Sequence, residues 1–423
     1  MATSKVKFTV SDGNLFSAIA GADHVASLVF DVDNSPAGGV IAAEGEVHQI
    51  FSLKQAVELG ITGIEDPAAP TGSEYEGGVV HKHIADFFGV NPNGELYVGL
   101  APSLTATVGT VTAFSFLSSI QTIAQGRIRQ QGVYTKEDLF SAGTPYTVNF
   151  VAAIDSIADA DALANRPYSV ILHANVATVG GQNVELGEIP TAIGSNERVS
   201  INIGQDNGAL TKAIQDANTA KQSVGSVGTF IAAVSLANVH ESIGWLSKTD
   251  LSGVIPTIAF GFGGVVADID DNTPYESLAP QQLDVFDEYG YIFPHRYIDF
   301  AGVYASQQRT LSSGDFNTIA RVRTADKSRR LVRAALLPTL QQPLYIDPVS
   351  GEVSVGTINQ FKAIVHRQLV SMQTAGEVSG FSITINPKQN ILGGACFEIE
   401  YRIIPVGTND QICVELGLAT SIA

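Results

Sequence analysis

Histidine, carboxylate and glycine groupings are where this chain could do chemistry. His81 and His83 flank Lys82. Two histidines at i and i+2 share one face of a strand and could hold a metal there. HKHIADFF reads as helix, however, and in a helix a two-residue step turns the rings apart. His240-Glu241 resembles half of a zinc site but has no second histidine four residues on. Asp268, Asp270 and Asp271 in VADIDDNTP begin like a calcium loop. They lack its central glycine and closing glutamate, which favours a solvated turn. GFGG at 261–264 and VGG at 179–181 have no phosphate-site context and read as turns, and neither G-x-x-x-x-G-K-[ST] nor G-x-S-x-G occurs. No catalytic residue, metal or cofactor is expected. Trp245, the only tryptophan, is expected in the core.

The strongest local signal is charge. Residues 315–337 read DFNTIARVRTADKSRRLVRAALL and hold Arg321, Arg323, Lys327, Arg329, Arg330 and Arg333, six of the chain's 24 basic residues, with Asp326 the acid among them. The texture is helical: Asp315 can serve as N-cap after Ser312-Ser313-Gly314, and Pro338 ends the run. At 100° per residue, Arg323, Lys327, Arg330 and Arg333 fall on one side, and Val322, Ala325, Val332, Ala335 and Leu336 on the other. The pattern predicts a core-facing apolar side and an outward cationic stripe. Such a stripe is either a solvated surface or a docking face for an acidic partner.

Composition narrows the classes. The 423 residues suffice for two or three domains, and 45% hydrophobic with 16% charged residues is ordinary globular material. No apolar run approaches the roughly 18 residues of a membrane span. MATSKVKFTVSDG has no signal-type apolar core, so a cytoplasmic place of synthesis is expected. A net charge of -18 argues against nucleic acid as the main partner. Cys396 and Cys413 are expected as buried, reduced thiols in strands.

The elements that must position these residues alternate. HVASLVFDV at 24–32, ELYVGL at 95–100, PYSVILHANV at 167–176 and RVSINIG at 198–204 read as strands. SLKQAVEL, capped by Ser52 and Gln55 and stopped at Gly60, reads as a helix, as do 81–88, SFLSSIQTIAQG and 149–164. Residues 65–78 read as an acidic loop, and 208–239 as helix interrupted by SVGSVG. This is α/β texture with a largely parallel sheet. After about 290 it becomes α+β: YIFPHRY and AGVYASQQ as strands, the basic helix, a second helix from Thr357 to Ala375, and closing strands FSITI, CFEIEYRII and QICVELGL. In that second helix Ile358, Phe361, Val365, Leu369 and Met372 share one face. Val6, Phe8 and Val10 alternate in a lone N-terminal strand, which needs a sheet of this chain or a neighbour to pair with. Ile412, Val414, Leu416 and Leu418 alternate in a C-terminal strand that forms an exposed edge unless covered.

Several stretches resemble contractile tail sheath proteins of phages and related injection systems. They are GYIFPHRY at 290–297, residues 301–340, and the ending GEVSGFSITINPKQNILGGACFEIEYRIIPVG followed by QICVELGL. IFSLKQAVELGIT, HIADFFGVNPNGELYVGL and VHESIGWLSKTDLSG extend the resemblance over most of the chain; the N-terminal arm and residues from about 101 to 200 match poorly. The resemblance implies a multi-domain subunit: an N-terminal arm at 1–20, an α/β body at 21–289, a tube-proximal α+β domain at 290–410 and a C-terminal arm at 411–423. It implies hexameric rings stacked on an inner tube, with baseplate and terminator proteins at the ends and no membrane or nucleic-acid partner. Contraction drives the tube through a target envelope, in a virion assembled in host cytoplasm or in a cytoplasmic injection particle. Arg323, Lys327, Arg330 and Arg333 are then the tube-docking residues, and the terminal strands are arms donated to neighbouring sheets. Two other readings stay open: a different ring-forming tail or shell protein, and an enzyme with a cleft in the α/β body.

Overall fold

The computed structural model describes residues 23–31, 47–68, 75–101, 115–138, 149–175, 178–179, 182–183, 196–217, 223–260, 273–348, 351–389, 396–410 and 412–414. The glycines at 261–264 and the aspartates at 268, 270 and 271 lie outside them.

Strand β1 (Ala26–Asp31) is apolar on both faces, and its Ala26, Leu28, Val29 and Phe30 are fully buried. A strand of that kind belongs in the middle of a covered parallel sheet. Six strands form it: β2 (Val47–Ile50), β3 (Leu96–Ala101), β1, β4 (Gln130–Asp138), β5 (Ser169–Asn175) and, after the short hairpin β6 (Thr178–Val179) and β7 (Gln182–Asn183), β8 (Val199–Ile201), in the order β2-β3-β1-β4-β5-β8. The pairs β1–β3, β1–β4, β4–β5 and β5–β8 are parallel, and only β2 runs against its neighbour β3.

The helices α1 (Leu53–Glu58), α2 (Tyr75–Val90), α3 (Ser115–Ile123), α4 (Asn149–Leu163), α5 (Ala209–Ala217) and α6 (Val227–Leu236) cover both faces. Ser52 caps α1 as expected, accepting the Gln55 N–H. Glycine sets the close approach of helix to sheet. A Cβ on Gly132 would lie 2.5 Å from Val227 of α6, and one on Gly99, at the neighbouring register position, 2.7 Å from Phe116 of α3. Successive register positions face opposite ways, so α6 and α3 lie on opposite sides. Helix α6 is buried on nearly every side because α2 packs outside it. Helix α2 also starts earlier than expected, at Tyr75 inside the segment read as an acidic loop.

Between α2, β4, β5 and α6 sits a polar cluster. His83 donates from Nε2 to the Val224 carbonyl at 2.9 Å and accepts the Gly228 N–H on Nδ1 at 3.2 Å. The Tyr134 ring lies 5.5 Å from His83 and is stacked on His173 at 5.6 Å. Burial pushes His83 down to about 3 and His173 to about 4, so both are neutral. Both His83 nitrogens are thus engaged within the fold, and among the described residues no group of three or more metal-ligating side chains forms.

Strands β9 (Gln205–Asp206), β10 (Ile258–Phe260) and β11 (Thr273–Pro274), helix α7 (Pro280–Glu288) and the hairpin β12 (Pro294–Tyr297) and β13 (Phe300–Ala305) complete the larger core, to which Tyr291, Ile292, Phe293 and Val303 belong. Trp245 does not join it. It is 46% exposed, in the turns after α6, with the Lys248 ammonium 4.5 Å from its ring centroid. An indole can rest at the surface when a cation covers its face.

Helices α8 (Ile319–Leu336) and α9 (Val355–Thr374) and the antiparallel pair β14 (Val378–Thr384) and β15 (Glu400–Pro405) form a second, smaller unit. As the spacing predicts, Phe361, Val365, Leu369 and Met372 are buried on α9, and Phe381, Ile383, Ile399, Tyr401 and Ile403 turn towards it while their alternates face water. Cys396 and Cys413 are free as expected but exposed rather than buried, since neither lies in a strand. On the described residues β14–β15 is a two-stranded sheet. A sheet of two strands is marginal without further cover, and α8 and α9 supply it on one face.

Candidate interaction site on the basic helix

Helix α8 begins three residues later than Asp315 would place it. Thr318, with extended backbone, caps it by accepting the Arg321 N–H at 3.4 Å. Asp315 is exposed, and its carbonyl accepts from the Arg321 guanidinium. Pro338 ends the helix as expected, in a 3-10 turn at Leu337–Thr339.

The expected outward stripe is not where the wheel puts it. Arg323 is 4% exposed, and Lys327 and Arg330 keep 16% and 12% of their side-chain surface. Of the four cations, only Arg333 is exposed. The reason lies far away in sequence. Asp23, at the head of β1, offers one carboxylate oxygen to Lys327 at 2.8 Å and the other to Arg330. Glu377, just past α9, takes Lys327 at 2.5 Å. Arg323 donates to the carbonyls of Asp23, Ala237 and Asn238 at 3.1–3.3 Å. Asp326, the acid among these cations, is buried and takes Arg198 in two hydrogen bonds, at 2.8 and 3.2 Å.

Electrostatics follow from this packing. Burial works against the Lys327 ammonium, yet Asp23 and Glu377 hold its pKa above the ordinary lysine value. Burial lowers Arg330, and lowers Arg323 to about 10. Truncating one partner of such a buried pair leaves the other charge without compensation, which costs about 3–5 kcal/mol. These side chains are therefore fasteners. The first turns of α8 join the larger core through Ile319, and its last turns join the smaller one through Val332. One helix spans both cores, and its cations lock it to the body.

The exposed positive charge lies elsewhere. Arg333 on α8 and Lys362 and Arg367 on α9 are exposed, and Arg329 on α8 is half-buried. Helix α9 contains no acidic residue, and the single acid of α8 is the buried Asp326. That acid-free run in VGTINQFKAIVHRQLVSMQT was the sequence signal that could have located this set.

Of the expected terminal arms, Val6, Phe8, Val10, Leu416 and Leu418 lie outside the described residues. Ile412 and Val414 are described, lie outside any strand, and are 74% and 84% exposed. Ile404, on the outer face of β15, is 62% exposed.

Residues 315–423 match the family described as "DUF2586, C-terminal domain". No curated protein matches by sequence. The helical sheath of the anti-feeding prophage in its contracted state is similar in structure, with a TM-score of 0.60 at 14% identity over 99% of each chain. A chain of the same particle's baseplate gives 0.57 at 13% identity, over 99% of this chain and 100% of that one. A sheath tail protein of Listeria innocua gives 0.50 at 8% identity, over 91% and 92%. From end to end, the chain has the fold of the contractile-sheath proteins.

Proposed function

We propose that this protein is a structural subunit of a contractile sheath. Copies stack as hexameric rings around an inner tube and, on contraction, drive the tube through a target envelope. The observation that carries the reading is the coverage: a helical sheath protein aligns over 99% of both chains, so body, spanning helix and C-terminal unit occur together and in the same order. The subunit acts mechanically and is not an enzyme. It works in a virion tail or an injection particle assembled in the cytoplasm, with tube, baseplate and terminator proteins as partners and neither membrane nor nucleic acid. No described helix is long and apolar enough to cross a membrane.

The open β14–β15 pair supports strand exchange between copies. Its backbone can take a further strand, and the exposed Ile412 and Val414 belong to a segment patterned to be one. The arms at 1–20 and 411–423, with Val6, Phe8 and Val10 at one end and Leu416 and Leu418 at the other, hold copies together while other contacts are exchanged. Tube docking falls to Arg333 with Arg329, Lys362 and Arg367, since Arg323, Lys327 and Arg330 are engaged inside the subunit. An exposed ion pair is worth about 0.2–1 kcal/mol, weak enough to release singly and strong when repeated along a tube.

The test is a truncation removing 411–423. It is expected to leave a soluble subunit that does not polymerise; normal cylinders from it, seen by electron microscopy, rule out strand donation by the C-terminal arm.

A further inference from the structure

The tip of the β12–β13 hairpin is apolar and faces water. Its turn is Ile298-Asp299, with Asp299 in the left-handed region at φ 61°. Ile298 is 92% exposed, and Tyr297 and Phe300, which pair across the turn, are exposed as well. Apolar residues scattered singly over a surface are ordinary, but three within four positions make a patch. A run of ring contacts carries the patch to α7: Tyr297 to His295 at 4.6 Å, His295 to Phe293 at 6.0 Å and Phe293 to Phe286 at 6.2 Å. On α7 Val285 is also exposed, on the same side of the helix as Asp284 and Glu288. The rim is acidic, with Asp284, Glu288 and Asp299 all exposed. Of the cations nearby, Arg296 is taken by Glu276 at 2.9 Å and Arg309 acts on Asp287.

An apolar centre with an acidic rim fits a partner with an apolar centre and a cationic rim. The chain carries one. Helix α9 has no acid along its length, and Val355, 71% exposed, stands on the same side as the exposed Lys362, two helical turns on. Arg367 is exposed on the same helix.

We propose that the face made by α7 and the hairpin tip in one copy takes the α9 face of a second copy. The two faces differ, so the contact runs head to tail, and a head-to-tail contact that does not close on itself propagates as a helix of subunits. The inference rests on the sheath reading and gives its basic set a second partner. Lys362 and Arg367 meet the tube in the extended sheath, and meet the acids of a neighbour's hairpin face once the tube is gone. The same cations cannot serve both at once, so making either contact requires release of the other. Charges at such a rim fix partner and register, while the apolar centre supplies most of the affinity.

The experiment uses the wild-type chain, as a mixture of isotope-labelled and unlabelled subunits, assembled without tube and on tube. Both preparations are treated with a carbodiimide, which joins an ammonium to a carboxylate in contact with it. In tube-free cylinders, peptide mapping is expected to find Lys362 joined to Asp284, Glu288 or Asp299, with labelled peptides joined to unlabelled ones. On tubes that product is expected to be lost. Ile298→Asp, at a position the fold leaves in water, is expected to keep the wild-type thermal midpoint and to lose the tube-free cylinders. Tube-free cylinders without the product, a product undiminished on tubes, or normal tube-free cylinders from Ile298→Asp overturn this inference and leave the sheath reading in place. A wild-type chain that forms cylinders in neither preparation overturns both. The cross-linking needs only the wild-type chain, so the inference stays falsifiable if the variant does not fold.

Discussion

Arg198, at the entry to β8, grips Asp326 in the middle of α8 through two parallel hydrogen bonds of 2.8 and 3.2 Å. Residues 128 apart in sequence thereby fix the angle at which the spanning helix leaves the body. Arg198 also reaches the half-exposed Asp159 at 2.8 Å, but Asp326 has no second cation in direct contact among the described residues. Asp326→Ala is expected to destabilise the subunit by about 3–5 kcal/mol, since it leaves Arg198 largely buried. The decrease in urea midpoint measures it. Asp159→Ala, at the exposed end of the same network, is expected to cost less than about 1 kcal/mol.

Charge reversal separates fasteners from docking residues. Replacing Arg323, Lys327 and Arg330 with Glu faces new carboxylates with Asp23, Glu377 and three carbonyls, so the subunit itself should lose its folded transition in calorimetry. Replacing Arg329, Arg333, Lys362 and Arg367 with Glu should shift the subunit's midpoint little and abolish cylinders formed on tubes. A stable triple variant would show that the fastening assignment is wrong.

The polar cluster under α6 makes a pH prediction. His83 and His173 titrate near 3 and 4 in the folded chain, against 6.5 in the unfolded one. Between those values the unfolded chain binds protons that the folded chain refuses. Their contribution is therefore full above pH 6.5 and falls as pH drops, by up to about 1.4 kcal/mol per pH unit for each group. Asp155 works the other way: burial raises it to about 6, so its share grows as pH falls from 6 to 4. Burial also lowers His81 and His295 and raises Asp86 and Asp287, so the lowered histidines still outnumber the raised carboxyls, and the thermal midpoint is expected to fall from pH 7 to pH 4.

Packing gives a cleaner contrast. A Cβ on Gly228 would lie 2.3 Å from the backbone oxygen of His83, where α6 crosses α2, whereas one on Gly253 would meet nothing within 4 Å. Gly228→Ala is expected to cost about 3 kcal/mol, at the upper end for overpacking, because the obstacle is main chain. Gly253→Ala is expected to stay within about 0.5 kcal/mol. Midpoints of the two variants under identical conditions check the pair.

Much of this architecture was legible in the chain. The two-faced apolar run around Leu28 and Val29 marks a central parallel strand, Ser52 and Gln55 mark a cap, and the Phe361–Met372 face and the alternation of Phe381 with Ile383 mark the small core. What the sequence hid was orientation. A helical wheel assigns Arg323, Lys327 and Arg330 to water because it knows only their own helix. Asp23, 300 residues from Arg323, and the carbonyl ends of α6 make the body side of that helix polar. Asp326 completes the inversion, since an acid amid cations invites an i,i+4 reading and instead faces Arg198. Trp245 misled for a related reason: indoles are large enough to bury, but this one is covered by its own neighbour, Lys248.

The most direct measurement is electron microscopy of the purified protein, alone and after co-expression with a sheath-type inner tube protein. Hollow helical cylinders built of six-fold rings are expected, shorter and wider without the tube and extended on it. Monodisperse single subunits in both preparations would contradict it.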